Sequence, residues 1–178
     1  MQKILVSFLV VICATVSAMG GNSPPVVEAR TLLSTDAAHA GSSVKLAVVA
    51  QVAPGFHIND HKPTLDYLIP TELKVEPTSQ MTVGRVAYPK GEHKKFEFSE
   101  TALSVYEGKV VIGAILNIKR STSPGSYSMS GKLTYQACNE RACLPPTSVP
   151  LSLVVKVVPR NVSLKRMNRD VFEKVQYD

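Results

Sequence analysis

The sequence predicts an all-β fold, an immunoglobulin-like antiparallel β-sandwich with a short C-terminal helical or disordered tail. Three observations carry that prediction. Val44, Leu46, Val48 and Val52 alternate with Lys45, Ala47, Val49 and Gln51, the period-2 pattern of a strand with one buried face. Turn chemistry recurs at Pro54-Gly55, Glu107-Gly108, Ser123-Pro124-Gly125 and Pro145-Pro146. No helical period stands out before residue 160, and no internal repeat is visible. Many short strands separated by Gly and Pro are what a sandwich requires.

In chain order, the first segment is one basic residue (Lys3), an apolar run from Ile4 to Val16 and a small-residue exit at Val16-Ser17-Ala18. That is the anatomy of a signal peptide over residues 1–18. The run is shorter than the roughly 18 to 20 apolar residues a membrane span needs. Ile12 stands where lipidation of Cys13 would want a small residue, so the expected product is an exported, soluble chain starting near Met19. The expected domain covers residues 26–158. After the strand at Val44–Val52 its candidate strands are 71–75, 83–88, 103–106, 109–118, 127–137 and 149–158. A charged tail, 159–178, follows. Leu164, Met167, Val171 and Val175 are spaced three or four apart there, and Ser163 is the candidate cap of a short helix resting on the sandwich. Asp170, Glu173 and Asp178 argue against a membrane-surface helix.

Charge excludes one class of partner. The full chain carries +6, and +6 less Lys3 leaves +5 after export. Its cations (Lys45, Lys74, Arg85, Lys94, Lys95, Lys119 and Arg120 among them) are scattered, and there is no Trp. Nucleic-acid surfaces focus basic residues on one face with stacking aromatics, so no nucleic-acid partner is expected.

Chemistry concentrates in Tyr135-Gln136-Ala137-Cys138-Asn139-Glu140-Arg141-Ala142-Cys143-Leu144-Pro145-Pro146. With Cys13 removed, Cys138 and Cys143 are the cysteines left to pair, facing each other across a tight connection. Closing so small a ring stabilises a fold by only about 2 kcal/mol, and a chain of this size builds a core without staples. The pair is therefore a poor staple and a serviceable electron carrier. Pro145 and Pro146 remove two backbone donors and stiffen the exit beside Cys143. Arg141 would favour a thiolate and Glu140 would oppose it. Three readings stay open from the residues alone: a hairpin-locking structural disulfide, thiol–disulfide exchange, and a metal site joining the cysteines to His57 and His61, spaced H-x3-H. His39 and His93 read as ordinary surface histidines.

These residues carry a resemblance. Tyr135-Gln136-x-Cys138 followed by Cys143-Leu144-Pro145-Pro146, with the strand at Val149-Pro150-Leu151 downstream, resembles the N-terminal periplasmic domain of the DsbD thiol-disulfide interchange family. Gly55-Phe56-His57-Ile58-Asn59, Leu68-Ile69-Pro70-Thr71 and Val105-Tyr106-Glu107-Gly108 are similar to that family as well, in the same order. The resemblance runs from about Leu46 to Val158. It implies a periplasmic immunoglobulin-like domain, in the oxidoreductase class if active, that relays reducing equivalents by disulfide exchange to or from thioredoxin-like proteins or domains, with a membrane-embedded electron donor upstream and no cofactor or metal. It implies that Cys143 forms the mixed disulfide with partners and that Cys138 resolves it. It also implies a cap segment, here Gly91 to Thr101, in which Phe96 or Phe98 shields the sulfurs, with inward core packing as the alternative for both. Phe56, His57 and Tyr135 are the expected neighbours of the pair. Known members have one more residue between the cysteines, and tyrosines where this chain has Phe56 and His57. The chain carries neither the membrane domain nor the thioredoxin-like domain of those proteins, so its electron source is expected to be a separate protein. The alternative function is a non-catalytic envelope binding module whose disulfide is structural.

Overall fold

The computed structural model describes residues 25–177, so the predicted signal peptide and Cys13 lie outside the described residues. The strands are β1 (Val27–Leu33), β2 (Ala38–His39), β3 (Ser43–Val52), β4 (His57–Asn59), β5 (Glu72–Val75), β6 (Met81–Ala87), β7 (Glu92–Lys94), β8 (Leu103–Tyr106), β9 (Lys109–Ile118), β10 (Gly125–Tyr135), β11 (Ala137–Cys138) and β12 (Thr147–Val158). One short helix, α1 (Arg169–Phe172), follows. Every expected strand is present within a few residues, and β1, β2, β4 and β7 are additions.

Two four-stranded sheets, β1-β3-β9-β6 and β2-β12-β10-β5, face each other. All their pairings are antiparallel except the short parallel contact of β12 with β2. The fold is therefore the immunoglobulin-like sandwich the sequence predicts. The core follows from alternation: Leu46, Val48, Ile112 and Leu116 from one sheet meet Met129, Leu133, Leu153 and Val155 from the other, all buried. β3 departs from strict alternation because Ala47 and Val49, on its outer side, are buried too.

The tail explains that second burial. After β12 the chain crosses the outer face of the first sheet, where Val171 of α1 packs against Ala47 and Val49. A Cβ on Gly113 would stand 2.4 Å from Val175 Cγ1 and 2.7 Å from the Tyr177 ring, so only glycine lets the tail pass so closely over β9. Tyr177 donates its hydroxyl to the Leu46 carbonyl (3.2 Å), and the Lys45 ammonium lies 4.5 Å from the centre of its ring. Ser163 does not cap the helix. The cap is Asn168 in a left-handed conformation (φ 52°), whose side-chain amide donates to the Leu33 carbonyl (2.9 Å) and so ties the tail to the sheet.

A third, smaller sheet, β11-β4-β8-β7, builds one end of the molecule and carries the cysteines.

The cystine end and its aromatic stack

β10 stops at Tyr135, and after Gln136 the chain changes sheets, so that Ala137 and Cys138 pair with Ile58 and His57 of β4. The chain then turns back immediately. Asn139 N donates to the Ala142 carbonyl (3.0 Å) and Leu144 N to that of Ala137 (2.8 Å). Asn139 Oδ1 accepts from Arg141 N and Ala142 N, both at 2.9 Å. Asn is suited to this because its side chain can satisfy the amides two and three residues on. The resulting hairpin sets Cys138 directly opposite Cys143, joined by a disulfide (S–S 2.02 Å, Cα–Cα 3.9 Å). Pro145 and Pro146 offer no donors, and regular pairing resumes at Thr147.

The two sulfur-bearing residues sit in unlike surroundings. Cys138 is 1% exposed, whereas Cys143 is exposed, along with every residue from 140 to 148. Of the two, Cys143 is therefore the residue that solvent reaches.

An aromatic column stands beside this pair. His57, 2% exposed, is the cross-strand neighbour of Cys138. Its ring stacks on Phe96 (centroids 4.2 Å apart, planes 23° apart), and Phe96 stacks on Phe98 (5.3 Å, 15°). Phe96 also packs on the satellite cluster of Leu68, Leu103 and Val105, so it joins core packing to the stack on His57. Phe98 is 44% exposed at the outer end. Burial holds the imidazole below its ordinary value of 6.5; Glu107 opposes that effect and Lys94 adds to it. Those two are ion-paired with each other.

The other expected neighbours belong to the main core. Tyr135 is buried in the main core, where burial pushes its phenol up, and Phe56 packs against the same core. His61 diverges from His57: its ring lies parallel to Tyr88 (3.6 Å, 2°), with Nδ1 3.1 Å from the Thr71 carbonyl. Among the described residues no three His, Cys, Asp or Glu side chains converge on a metal-sized site.

Sequence reasoning missed Asp60. Its carboxylate accepts from Ser104 Oγ (2.6 Å), Lys62 N (3.2 Å) and the Tyr106 hydroxyl. Burial alone would raise this carboxyl, but the hydrogen bonds outweigh it and hold the group below the usual carboxylate range. Burial, with Asp60 beside it, drives the Tyr106 phenol upward. A Cβ on Gly91 would come within 2.4 Å of Ser104 Oγ and 2.5 Å of Asp60 Oδ2, so the start of the 91–101 segment is seated on this cluster. The available signal was Ser104 and Tyr106, two hydroxyls two residues apart on one face of an otherwise apolar strand.

A sandwich that bears a half-buried, half-exposed cystine on a hairpin at one end is an immunoglobulin-like disulfide-bearing domain. The family model "Thiol:disulfide interchange protein DsbD, N-terminal" matches residues 28–154, and the chain belongs to that family. Its fold is similar to the N-terminal periplasmic domain of ScsB from Proteus mirabilis, with 19% identity, 73% of this chain covered and a TM-score of 0.51. The chain spans 47% of that structure's length. Weaker similarity joins it to the DsbD N-terminal domain from Neisseria meningitidis in its reduced form (21% identity, 76% of this chain and 90% of that chain, TM-score 0.38). It extends to the complex of the DsbD N-terminal and PilB N-terminal domains from the same organism (24%, 68% and 80%, 0.40). No curated protein sequence matches the chain. Among the described residues no helix is long and apolar enough to cross a membrane.

Proposed function

We propose that the chain is an exported, periplasmic domain that relays reducing equivalents through Cys138 and Cys143, to or from thioredoxin-like partners. The observation that carries this reading is the unequal exposure of the two cysteines, one buried and one open to solvent. A partner thiolate attacks Cys143 Sγ, the Cys138–Cys143 bond breaks, and Cys138 departs as the thiolate. The partner's second thiol then attacks the mixed disulfide and releases Cys143, so the partner is oxidised and this domain reduced by two electrons. Run in the other direction, Cys143 attacks an acceptor's disulfide and Cys138 resolves the adduct. Phe96 and Phe98 act as the shield beside the pair, His57 lies under that shield, and Phe56 and Tyr135 support the sheet behind it. A membrane-embedded protein is the proposed electron source. Residues 1–18 are the proposed signal peptide, residues 26–158 the exchange domain and residues 159–178 an accessory tail.

The test is a trapping experiment with a purified thioredoxin-fold protein whose own resolving cysteine has been replaced. The Cys138→Ser variant keeps the attacked sulfur and is expected to accumulate a stable mixed disulfide, while Cys143→Ser accumulates none. Equal trapping by the two variants, or none by either, would overturn the reading in favour of a structural bond.

A further inference from the structure

A buried cysteine that leaves as a thiolate, and later attacks as one, needs somewhere to put a proton. Cys143 is exposed and can exchange its proton with water. Cys138 cannot, and burial in apolar surroundings raises a thiol's pKa and suppresses its nucleophilicity. The group beside it is His57. The two residues are directly opposed in the antiparallel pairing of β11 with β4. Opposed residues project from the same face of a sheet with their Cβ atoms roughly 4.5–5.5 Å apart.

His57 Nε2 is buried and has no hydrogen-bond partner. Leaving a buried polar atom unpaired costs about 1–3 kcal/mol, so such an atom asks for a reason. The other such atom among the described residues is Asn59 Oδ1, two residues along the same strand and therefore on the same face; its amide is already engaged, donating to the Ile69 carbonyl (2.9 Å). Phe96 covers the imidazole and keeps water from it. The charged groups that bear on the ring are Glu107 and Lys94, paired with each other. Buried there, the imidazole is neutral at pH 7, the form that has a lone pair to accept a proton.

We infer that His57 is the proton partner of Cys138. The inference rests on the exchange reading above. When Cys138 resolves a mixed disulfide at Cys143, Nε2 takes the thiol proton as the new S–S bond forms. The electron pair of the broken bond leaves on the acceptor's sulfur.

The test is stopped-flow reaction of the reduced protein with 5,5′-dithiobis(2-nitrobenzoate), which releases one coloured thiolate when Cys143 attacks and a second when Cys138 resolves. His57→Phe, which keeps a ring under Phe96, is expected to leave the first phase unchanged and to slow the second about 10²-fold or more, as loss of a general base does. His57→Gln should behave alike. In the unsubstituted protein the second phase should weaken as pH falls through an inflection below 6.5, and both variants should lack it. A second phase within threefold of the unsubstituted rate in both variants, or no such inflection in the unsubstituted protein, would overturn the role of His57. Absence of the first phase in the unsubstituted protein would instead overturn the exchange reading, and this inference with it.

Discussion

The tail-covered face and the cystine end are additions to one sandwich, and they are finished in opposite ways. Over the first sheet, Val171 is buried on Ala47 and Val49, Gly113 admits Val175 and Tyr177, and Asn168 and Tyr177 hydrogen-bond to strand carbonyls. At the cystine end Cys143 is open, Phe98 and Leu144 are exposed, and Tyr67 beside the Leu68 cluster is 77% exposed. Both unpaired buried polar atoms found among the described residues, His57 Nε2 and Asn59 Oδ1, belong to β4 at that end. A surface whose only task is stability satisfies its polar groups and hides its apolar ones. The end that leaves both undone is the one to which the proposed function assigns the partners.

Breaking each region should therefore give separable results. The largest effect belongs to Cys143→Ser, which should abolish thiol transfer to a small disulfide while lowering stability by no more than the roughly 2 kcal/mol that a six-residue ring contributes. Urea unfolding beside the transfer assay measures both, and a far greater loss of stability would mark the bond as structural. Next comes Gly113→Ala. Its Cβ would drive into Val175 and Tyr177, and displacing the tail should cost about 1–3 kcal/mol with exchange rates unchanged. A matching fall in exchange rate would show that the two regions are coupled.

Smaller effects sharpen the cystine side. Phe96→Ala should speed iodoacetamide alkylation of the reduced cysteines several-fold, and Phe98→Ala less, because Phe96 is the ring that touches His57. Unchanged alkylation in both variants would remove the shield. The mildest lever is pH. The unfolded chain's histidine takes up a proton near 6.5, and the buried His57 only at lower pH. Below 6.5 the unfolded state thus binds more protons, and stability falls as pH falls until the folded-state pKa is passed. Asp60, also held low, adds a second decline below 3.8. His57→Phe should erase the upper decline and leave the lower one, which a series of urea titrations across pH would reveal.

Much of this could be seen in the residues, and the exceptions have physical reasons. The alternation in Val44–Val52 marked β3, but it also assigned Ala47 and Val49 to solvent, since no local pattern announces that a tail 120 residues later will cover them. β4 and β7 have three residues each, too few to display a period. β1 does alternate, yet its inward positions include Ala29 and Thr31, which give little contrast. The tight turn between the cysteines followed from their spacing. Their unequal exposure did not, because it depends on β11 docking against β4. H-x3-H looks the same whether its rings converge on a metal or, as here, part company to stack on Phe96 and Tyr88.

On the proposed function, the Cys138–Cys143 bond is made to be exchanged. Its reduction potential, obtained by thiol-trapping the protein after equilibration in graded redox buffers, tests this most directly. An exchanging bond should give a value between about −180 and −270 mV, the range of thiol–disulfide exchangers. A value below about −300 mV, where structural disulfides fall, would contradict it.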